Sequence, residues 1–193
     1  DLINLNFPFE SVINPLLLEK CGVSYTILNQ EPNGKFSHTP EPNEKNLIEL
    51  STYMKGKDYD IGFAQDPDAD RLVIFDENGR FIGEDYSLAF CIDYVLSEDN
   101  SENKKVVVNL STSNIIQWVS KKHEATVSQT KIGESNVTQG IKDQGAIVGG
   151  EGNGGVIYPK IGWGRDSLVG IVLALKHLAK EKKALSNIIR QYP

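Results

Sequence analysis

The chain has 193 residues, of which 39% are hydrophobic and 24% charged, a composition typical of a globular protein with a packed core. At about 100–200 residues per domain, this length predicts one or two domains, and the composition excludes collagen-like, low-complexity and disordered classes. The 20 Lys and Arg against 26 Asp and Glu give a net charge of −6. Because this charge would repel polyanions, we expect neither a nucleic-acid partner nor binding to an anionic membrane surface.

Sequence features also indicate the compartment. No apolar run approaches about 18 residues, which predicts no membrane span, and no signal peptide is visible. Cys21 and Cys91 belong to no CxxC or Cys/His cluster, so we expect buried reduced thiols in a cytoplasmic protein. The chain begins with Asp1 rather than Met, and Pro193 directly follows a helical pattern, so we expect a fragment of a longer chain.

Helical and strand patterns alternate along the chain. The predicted elements, in chain order, are a helix over 15–22, a strand over 23–28, a helix over 44–54, strands over 59–64 and 71–75, a helix over 84–96, a strand over 106–110, a helix through 119, a strand over 125–129, a helix over 134–143, strands over 146–148 and 156–158, and a helix over 166–180. Between them lie a polar loop over 29–43 with an Asn33-Gly34 turn, a tight turn over 76–79, and the N-cap candidates Ser111, Thr112 and Ser113.

This alternation predicts an α/β fold. The order strand, helix, strand occurs in both halves, so we expect two similar α/β modules, each a mixed sheet flanked by helices. The run Val106–Leu110, apolar apart from Asn109, is typical of a strand buried in a parallel or mixed sheet. We place the module boundary near Gly83, which gives modules over 1–83 and 84–193.

The first candidate site is the acidic loop Asp66-Pro67-Asp68-Ala69-Asp70-Arg71, which follows an apolar strand. Carboxylates at this spacing repel one another unless a cation neutralises them, and oxygen ligands favour Mg²⁺ or Ca²⁺. We predict that Asp66, Asp68 and Asp70 bind Mg²⁺ and that Arg71 donates to a neighbouring phosphate. An EF-hand is disfavoured because Arg71 stands at its turn-glycine position and a strand pattern follows. A solvated acidic turn is the remaining alternative.

The second candidate site is the glycine-rich loop Gly149–Gly155 between two predicted strands. A dinucleotide fingerprint would lead from a strand into a helix, so the glycines alone do not indicate a nucleotide site. Glycines allow a backbone to approach a ligand closely. Glu151 and Asn153, separated by Gly152, offer the acceptor and donor groups that suit vicinal sugar hydroxyls. A glycine-rich hairpin without a ligand is the alternative.

Weaker candidates lie in two further segments. Lys131 is a candidate phosphate ligand and Glu134 a candidate for proton exchange, with a surface turn or a helix start as the alternative for both. Asp166, which follows Gly164-Arg165, is expected to cap the helix that begins there. The histidines are unclustered and are expected to be surface or structural residues: His38, His123 and His177.

The acidic loop resembles the magnesium loop of the α-D-phosphohexomutases, the phosphoglucomutase/phosphomannomutase family. The segment Gly150-Glu151-Gly152-Asn153-Gly154 is similar to the sugar-binding loop of that family, and Pro40-Glu41-Pro42 and Asp60-Ile61-Gly62 match in order and separation. The chain departs from the family pattern at Asn153, where serine is usual, at Gly155, where many members have histidine, and at Glu134, where some have histidine.

The resemblance covers nearly the whole chain and implies the second domain, roughly 1–83, and the third, roughly 84–193, of a four-domain enzyme. The absent first domain would carry a phosphorylated catalytic serine, and the absent fourth domain would bind phosphate. These two domains and a phosphorylated hexose are the implied partners, and the fragment alone is expected to be inactive.

For the parent chain, the resemblance implies a Mg²⁺-dependent isomerase, an intramolecular phosphotransferase that interconverts hexose 1-phosphate and 6-phosphate through a phosphoserine. The three aspartates would hold Mg²⁺, Arg71 would steady the phosphate, and Glu151 and Asn153 would bind sugar hydroxyls. Phosphoglucosamine mutase, in the same family, and a non-enzymatic carbohydrate- or cation-binding module are the alternatives. The mutase interpretation requires the acidic and glycine-rich loops to face one crevice.

Overall fold

The computed structural model describes residues 2–4, 10–29, 31 and 39–193, and it has alternating strands and helices. The elements, in chain order, are β1 (Leu2–Asn4), α1 (Glu10–Cys21), β2 (Thr26–Leu28), α2 (Ile48–Met54), β3 (Gly62–Gln65), β4 (Leu72–Phe75), α3 (Glu84–Glu98), β5 (Lys105–Asn109), α4 (Ile115–Lys122), β6 (Thr126–Thr130), α5 (Glu134–Gln144), β7 (Val148–Glu151), β8 (Gly155–Ile157), α6 (Ser167–Glu181) and α7 (Leu185–Ile189). The α/β class is confirmed. The predicted Asn33-Gly34 turn and His38 lie outside the described residues.

Two four-stranded sheets share one topology. Their strand orders are β2-β1-β3-β4 and β6-β5-β7-β8. In each sheet the first three strands are parallel and the last is an antiparallel edge strand. The expectation of two similar modules with mixed sheets is therefore confirmed, while the module boundary near residue 83 stays a prediction.

A continuous hydrophobic core joins the two halves. Helix α3 packs against α4 and α6 and also contacts β4 of the first sheet and β7 of the second. Phe63 and Leu72 of the first sheet belong to the same buried cluster as Leu88 of α3 and Val106 of β5. Each fully buried side chain of this kind stabilises the fold by about 1.5–3 kcal/mol relative to an exposed one. The two sheets are thus held together by shared packing.

Some boundaries differ from the sequence-based expectations. Strand β2 covers 26–28 rather than 23–28, because its partner β1 is only 3 residues long and pairs Leu2 with Thr26 and Asn4 with Leu28. Strand β7 covers 148–151 rather than 146–148, since its pairing with β5 begins at Val148. Elements β1 and α7 were not predicted.

The caps differ in an informative way. Asp166 caps α6 as predicted, and its side chain accepts hydrogen bonds from the amides of Leu168 and Val169. The N-cap residue of α4 is Asn114, which makes no side-chain cap, although Ser113 Oγ accepts from the Ile115 amide at 3.3 Å. The Thr112 hydroxyl instead donates to Asn109 Oδ1, as does that of Ser111. These hydroxyls therefore brace the end of β5.

The two thiols lie in different environments. Cys91 is buried, and burial raises the pKa of its thiol to about 12, as expected for an inert core thiol. Cys21 is exposed at the end of α1, so the prediction of two buried thiols is wrong for that residue.

The described histidines pack within the fold. His177 is buried and stacks on Phe90, with ring centroids 4.3 Å apart, while His123 contacts the buried Asp93 carboxylate. Both contacts agree with the expected structural roles. Among the described residues, no helix is long and apolar enough to cross a bilayer.

Candidate metal and sugar site

The two predicted site loops occupy equivalent positions in the two sheets. The acidic loop, residues 66–71, joins β3 to β4, and the glycine-rich turn, residues 152–154, joins β7 to β8. Each loop connects the third parallel strand of its sheet to the antiparallel edge strand. In open α/β sheets, ligands bind at the carboxyl ends of the parallel strands, which is where both loops begin.

The structure brings the two loops into direct contact. The Leu72 amide, just after the acidic loop, donates to the Gly154 carbonyl at 3.2 Å. At the start of α6, the amide and hydroxyl of Ser167 both donate to the Ala69 carbonyl, at 3.1 and 2.6 Å. The Gln65 amide in turn donates to Ser167 Oγ at 2.6 Å. These bonds fix the acidic loop against the second half of the molecule.

The aspartates of the acidic loop converge. One carboxylate oxygen from each of Asp66, Asp68 and Asp70 lies within 4.8 Å of the others. The loop folds this way because Asp66 Oδ1 accepts hydrogen bonds from the backbone amides of Asp70 and Arg71, at 3.1 and 3.0 Å. Asp66 is buried, Asp70 is partly buried and Asp68 is exposed. An all-oxygen donor set of this kind fits a hard divalent cation such as Mg²⁺.

The carboxylates in this cluster have opposite pKa shifts. Burial raises the pKa of Asp66, but its hydrogen bonds from Arg71 and Asp70 outweigh burial and lower it overall. Burial and the adjacent Asp66 raise the pKa of Asp70 to about 6, against the opposing charge of Arg165. The second carboxylate therefore resists ionisation beside the first, and a bound cation would relieve that repulsion.

The guanidinium group of Arg71 forms hydrogen bonds with two carboxylates. Its Nε donates to Asp66 Oδ2 at 2.5 Å, and its terminal nitrogens donate to both oxygens of Glu41, at 2.6 and 3.2 Å. Burial lowers the pKa of Arg71, but these hydrogen bonds raise it overall, so the side chain stays charged. Glu41, within the Pro-Glu-Pro segment, is thus a site residue that sequence reasoning noted only as a motif match.

Glu151 is held rigidly at the end of β7. The residue is 4% exposed. Its Oε1 accepts from Asn109 Nδ2 at 2.7 Å and from the Gly133 amide at 2.9 Å, and its Oε2 accepts from Arg165 at 2.6 Å. A carboxylate fixed by three donors is preorganised to accept further hydrogen bonds.

The residues of the glycine-rich turn, which follows Glu151, bond mainly to the protein. The Gly152 amide donates to Thr112 Oγ1 at 3.1 Å, and Asn153 Oδ1 accepts from the Gly155 amide at 3.4 Å. Gly154 has a φ of +93°, and a Cβ there would lie 2.4 Å from the Leu72 carbonyl oxygen. Because Gly154 has no side chain, the glycine-rich turn can pack closely against the end of the acidic loop.

Sequence reasoning noted the segment Gly164-Arg165-Asp166 but assigned Arg165 no role in the site. Its guanidinium donates to Asp70 of the acidic loop and, at 2.6 Å, to Glu151. Its Nε also lies 3.4 Å from Glu134 Oε2. An arginine between a glycine and a helix cap carries no local pattern that distinguishes it. The acidic residues predicted on either side supplied the only signal, because they require a countercharge.

The two weaker candidates separate in the structure. The Glu134 carboxylate accepts from the Arg165 amide at 3.3 Å and belongs to the site. Lys131 is exposed, and its ammonium group forms no hydrogen bond or ion pair with the described residues. Its segment still reaches the site, since the amide of the nearby Gly133 donates to Glu151.

The chain is similar to known proteins in sequence and in structure. Residues 83–193 match the family model "Phosphoglucomutase/phosphomannomutase, alpha/beta/alpha domain III", and residues 10–79 match "Phosphoglucomutase/phosphomannomutase, alpha/beta/alpha domain II". A phosphoglucomutase/phosphomannomutase of Thermococcus kodakarensis is 38% identical over 184 residues, which cover 95% of this chain and 40% of that protein. A phosphoglucosamine mutase of Methanococcus vannielii is 35% identical over 187 residues, covering 94% of this chain and 41% of the relative.

A solved structure is also similar along the whole chain. The match with the crystal structure of a phosphoglucomutase/phosphomannomutase family protein from Burkholderia thailandensis covers 100% of this chain and 42% of that protein's chain. The sequence identity is 25% and the TM-score is 0.80. The chain spans about 40% of the length of the curated relatives it matches. Because family models match most of its length, the chain belongs to the phosphoglucomutase/phosphomannomutase family.

Proposed function

We propose that the parent protein is a Mg²⁺-dependent phosphohexomutase that interconverts hexose 1-phosphate and hexose 6-phosphate, and that this chain supplies its metal-binding and sugar-binding loops. The observation that carries the proposal is the junction of the three clustered aspartates with the fixed Glu151 through one arginine. Residues 1–83 and 84–193 are assigned as the two domains that carry these loops.

The acidic loop is assigned as the metal site. Asp66, Asp68 and Asp70 would hold Mg²⁺, which when bound supplies positive charge beside the phosphoryl group that is transferred. Asp68 is exposed and Asp66 is held by backbone amides, so the cluster combines an accessible ligand with a fixed one. Arg71, which Glu41 and Asp66 keep charged and oriented, is assigned to steady the phosphate.

The glycine-rich turn is assigned as the sugar site. Glu151 would accept hydrogen bonds from sugar hydroxyls, with Asn153 and the backbone at Gly152 beside it. Glu134 and Lys131 are assigned to the same end of the second sheet, as a proton-exchange group and a phosphate ligand. The fixed carboxylate of Glu151 supports this assignment, since a preorganised acceptor binds without further ordering cost.

The phosphoryl donor is assigned to a serine outside this chain. We expect purified parent protein to carry an added mass of one phosphate and to interconvert hexose 1-phosphate and 6-phosphate in a coupled assay. Residues 1–193 alone should show no turnover, because they hold the metal and sugar loops without the donor. Turnover by the isolated chain, or a parent protein with neither phosphate nor activity, would contradict the proposal.

A single substitution tests the metal assignment. Asp68→Asn keeps the size of an exposed side chain but removes a carboxylate, so Mg²⁺ affinity measured by calorimetry on the parent should fall at least about ten-fold. Asp58→Asn, at an exposed aspartate outside the acidic loop, is the matched control and should leave Mg²⁺ affinity unchanged. Equal Mg²⁺ affinity in Asp68→Asn and the native protein would remove Asp68 from the metal site.

A second candidate activity is phosphoglucosamine mutase. It is favoured by a specific observation, since the Methanococcus vannielii relative of that name is 35% identical to this chain, close to the 38% of the phosphoglucomutase/phosphomannomutase relative. Comparison of kcat/KM on the 1-phosphates of glucose, mannose and glucosamine decides between the activities.

A further inference from the structure

Arg165 lies between the two site loops and contacts both. One terminal nitrogen donates to Asp70 of the acidic loop, and the other donates to Glu151 at the end of β7. A guanidinium is planar, so its two terminal nitrogens hold their partners at a fixed relative position. Asp70 and Glu151 are 81 residues apart in sequence, yet each is bound to the same rigid group.

The surroundings of Arg165 keep the side chain in this position. The side chain is 16% exposed, and Glu134 Oε2 lies 3.4 Å from its Nε. A Cβ at Gly155 would lie 2.3 Å from Arg165 Cδ, so the absence of a side chain at Gly155 creates the passage through which the arginine reaches both carboxylates. The arginine is thereby positioned by packing as well as by charge.

We propose that Arg165 is a positioning residue that couples metal binding at the acidic loop to sugar-phosphate binding at the glycine-rich turn. This inference rests on the proposed function, because it takes Asp70 as a metal ligand and Glu151 as a sugar acceptor. A ligand that immobilises Asp70 also immobilises the guanidinium that Glu151 shares, and a ligand on Glu151 does the same in reverse. Binding of either ligand therefore lowers the conformational-entropy cost of binding the other, and the coupling must be reciprocal.

Backbone contacts provide the competing explanation. The Leu72 amide donates to the Gly154 carbonyl, and Ser167 donates to the Ala69 carbonyl, so the loops would stay adjacent without any arginine. These bonds do not include the carboxylates that would bind the ligands. The two routes therefore differ in what survives when the guanidinium is removed.

The test measures binding, with the parent protein and calorimetry. Mg²⁺ is titrated alone and again with saturating glucose 1-phosphate or glucosamine 1-phosphate, whichever binds. In the native protein, the sugar phosphate should tighten Mg²⁺ binding at least about five-fold, and Mg²⁺ should tighten the sugar phosphate by the same factor.

Two variants remove the coupling in different ways. Arg165→Met should bring the coupling factor, the change in Mg²⁺ affinity caused by the sugar phosphate, to within about two-fold of unity. The affinity for Mg²⁺ without sugar phosphate should not fall, because the substitution removes a positive charge that repels the cation. Arg165→Lys should also lose the coupling, because a compact ammonium does not reproduce the rigid two-carboxylate contact. Arg190→Met, which removes an exposed arginine that contacts Asn187, is the control and should keep the native factor. A merely structural role would instead lower Mg²⁺ affinity, sugar affinity and thermal stability together.

The outcomes separate the two proposals. If Mg²⁺ and both sugar phosphates fail to bind the native protein, the proposed function fails and the coupling with it. If both ligands bind but the native factor is near unity, the proposed function stands and the role of Arg165 is refuted. Coupling that persists in Arg165→Met would assign it to the backbone contacts or to direct attraction between Mg²⁺ and the phosphate, and would also refute the inference.

Discussion

The acidic loop and the glycine-rich turn are the same connection in two sheets of one topology, yet they are built in opposite ways. The acidic loop is shaped by side chains, since Asp66 binds the amides of Asp70 and Arg71 and thereby curls its own backbone. The glycine-rich turn is shaped by the absence of side chains, since Gly154 lies against the Leu72 carbonyl. The acidic loop presents carboxylates, and the glycine-rich turn leaves room for the two loops to pack against each other.

This difference shows how one architecture accommodates two kinds of loop. The antiparallel edge strand of each sheet returns from a loop at the carboxyl end of the third strand. Residue choice within that loop then decides whether the loop presents carboxylates of its own, as with the aspartates, or brings a strand-end residue such as Glu151 close to its neighbours.

The largest effect is expected from an alanine in the glycine-rich turn. Gly154→Ala places a Cβ 2.4 Å from the Leu72 carbonyl oxygen at a φ of +93°, so the free energy of unfolding should fall by about 2–4 kcal/mol. Urea unfolding of residues 1–193 measures the change. Gly162→Ala is the control, because a Cβ there meets no atom within 4 Å, and it should change stability little. Equal stability of the two variants would mean that the loops do not need close contact.

A carboxylate outside both loops provides the reference for pH. Burial raises the pKa of Asp93, but hydrogen bonds from His123, Tyr192 and Lys122 lower it overall. A lowered pKa means that the charged carboxylate stabilises the fold above its unfolded pKa, near 3.8, and that this contribution is lost as the pH falls through the folded pKa.

Asp93→Asn should therefore lower the free energy of unfolding by about 2–3 kcal/mol at pH 7 and flatten its decline at acid pH. Urea unfolding at pH 3–7 measures both effects, and the exposed Asp143→Asn is the control. An unchanged acid slope in Asp93→Asn would assign acid sensitivity to other groups, with the acidic loop as the first candidate.

An intermediate effect is expected where the acidic loop meets α6. Ser167→Ala removes the hydroxyl that donates to the Ala69 carbonyl, in a partly buried bond, and accepts from Gln65, in a buried one. The free energy of unfolding should fall by about 1–2 kcal/mol, because Gln65 and Ala69 each lose one hydrogen bond, although the Ser167 amide still donates to Ala69. Ser135→Ala, at an exposed position in the first turn of α5, should be nearly neutral in the same urea experiment. A neutral Ser167→Ala would show that this hydroxyl does not fix the acidic loop.

The smallest effect tests the comparison from the acidic side. Ala69 has a φ of +57°, a conformation that glycine adopts without strain. Ala69→Gly should raise the free energy of unfolding by about 0.5 kcal/mol, because relief of backbone strain exceeds the added conformational freedom of the unfolded chain. A slightly higher melting temperature is the expected measurement. The same substitution within α6, Ala179→Gly, should lower stability by about 1 kcal/mol. A clear loss of stability in Ala69→Gly would show that the alanine methyl group is needed in this loop.

The sequence was informative where a local pattern has one physical cause. Strand β5 was predicted from its valines because both faces are buried, and the Asp166 cap was predicted because its side chain satisfies amides two and three residues ahead. The clustering of Asp66, Asp68 and Asp70 was predicted from charge spacing, and the fold brings their oxygens together.

Other features depend on contacts that no local pattern encodes. The caps of α4 were misassigned because Ser111 and Thr112 bind Asn109, whose own position is set by Glu151. Arg165 was assigned no role because its partners come from the acidic loop and from the end of β7, which are distant in sequence or carry no local signal for it. The exposure of Cys21 follows from how α1 packs, which the apolar sequence around it does not specify.

The shared packing around α3 has a consequence for recombination between relatives. Leu88 of α3 belongs to a cluster that includes Phe63 on one side and Val106 on the other, so the interior does not end at the proposed boundary near residue 83. A chimera that joined the first half of this chain to the second half of a homologue would bring together interior side chains selected in different proteins. Such hybrids should fold only when the facing interior residues of both halves come from the same protein. The two halves are therefore expected to evolve together.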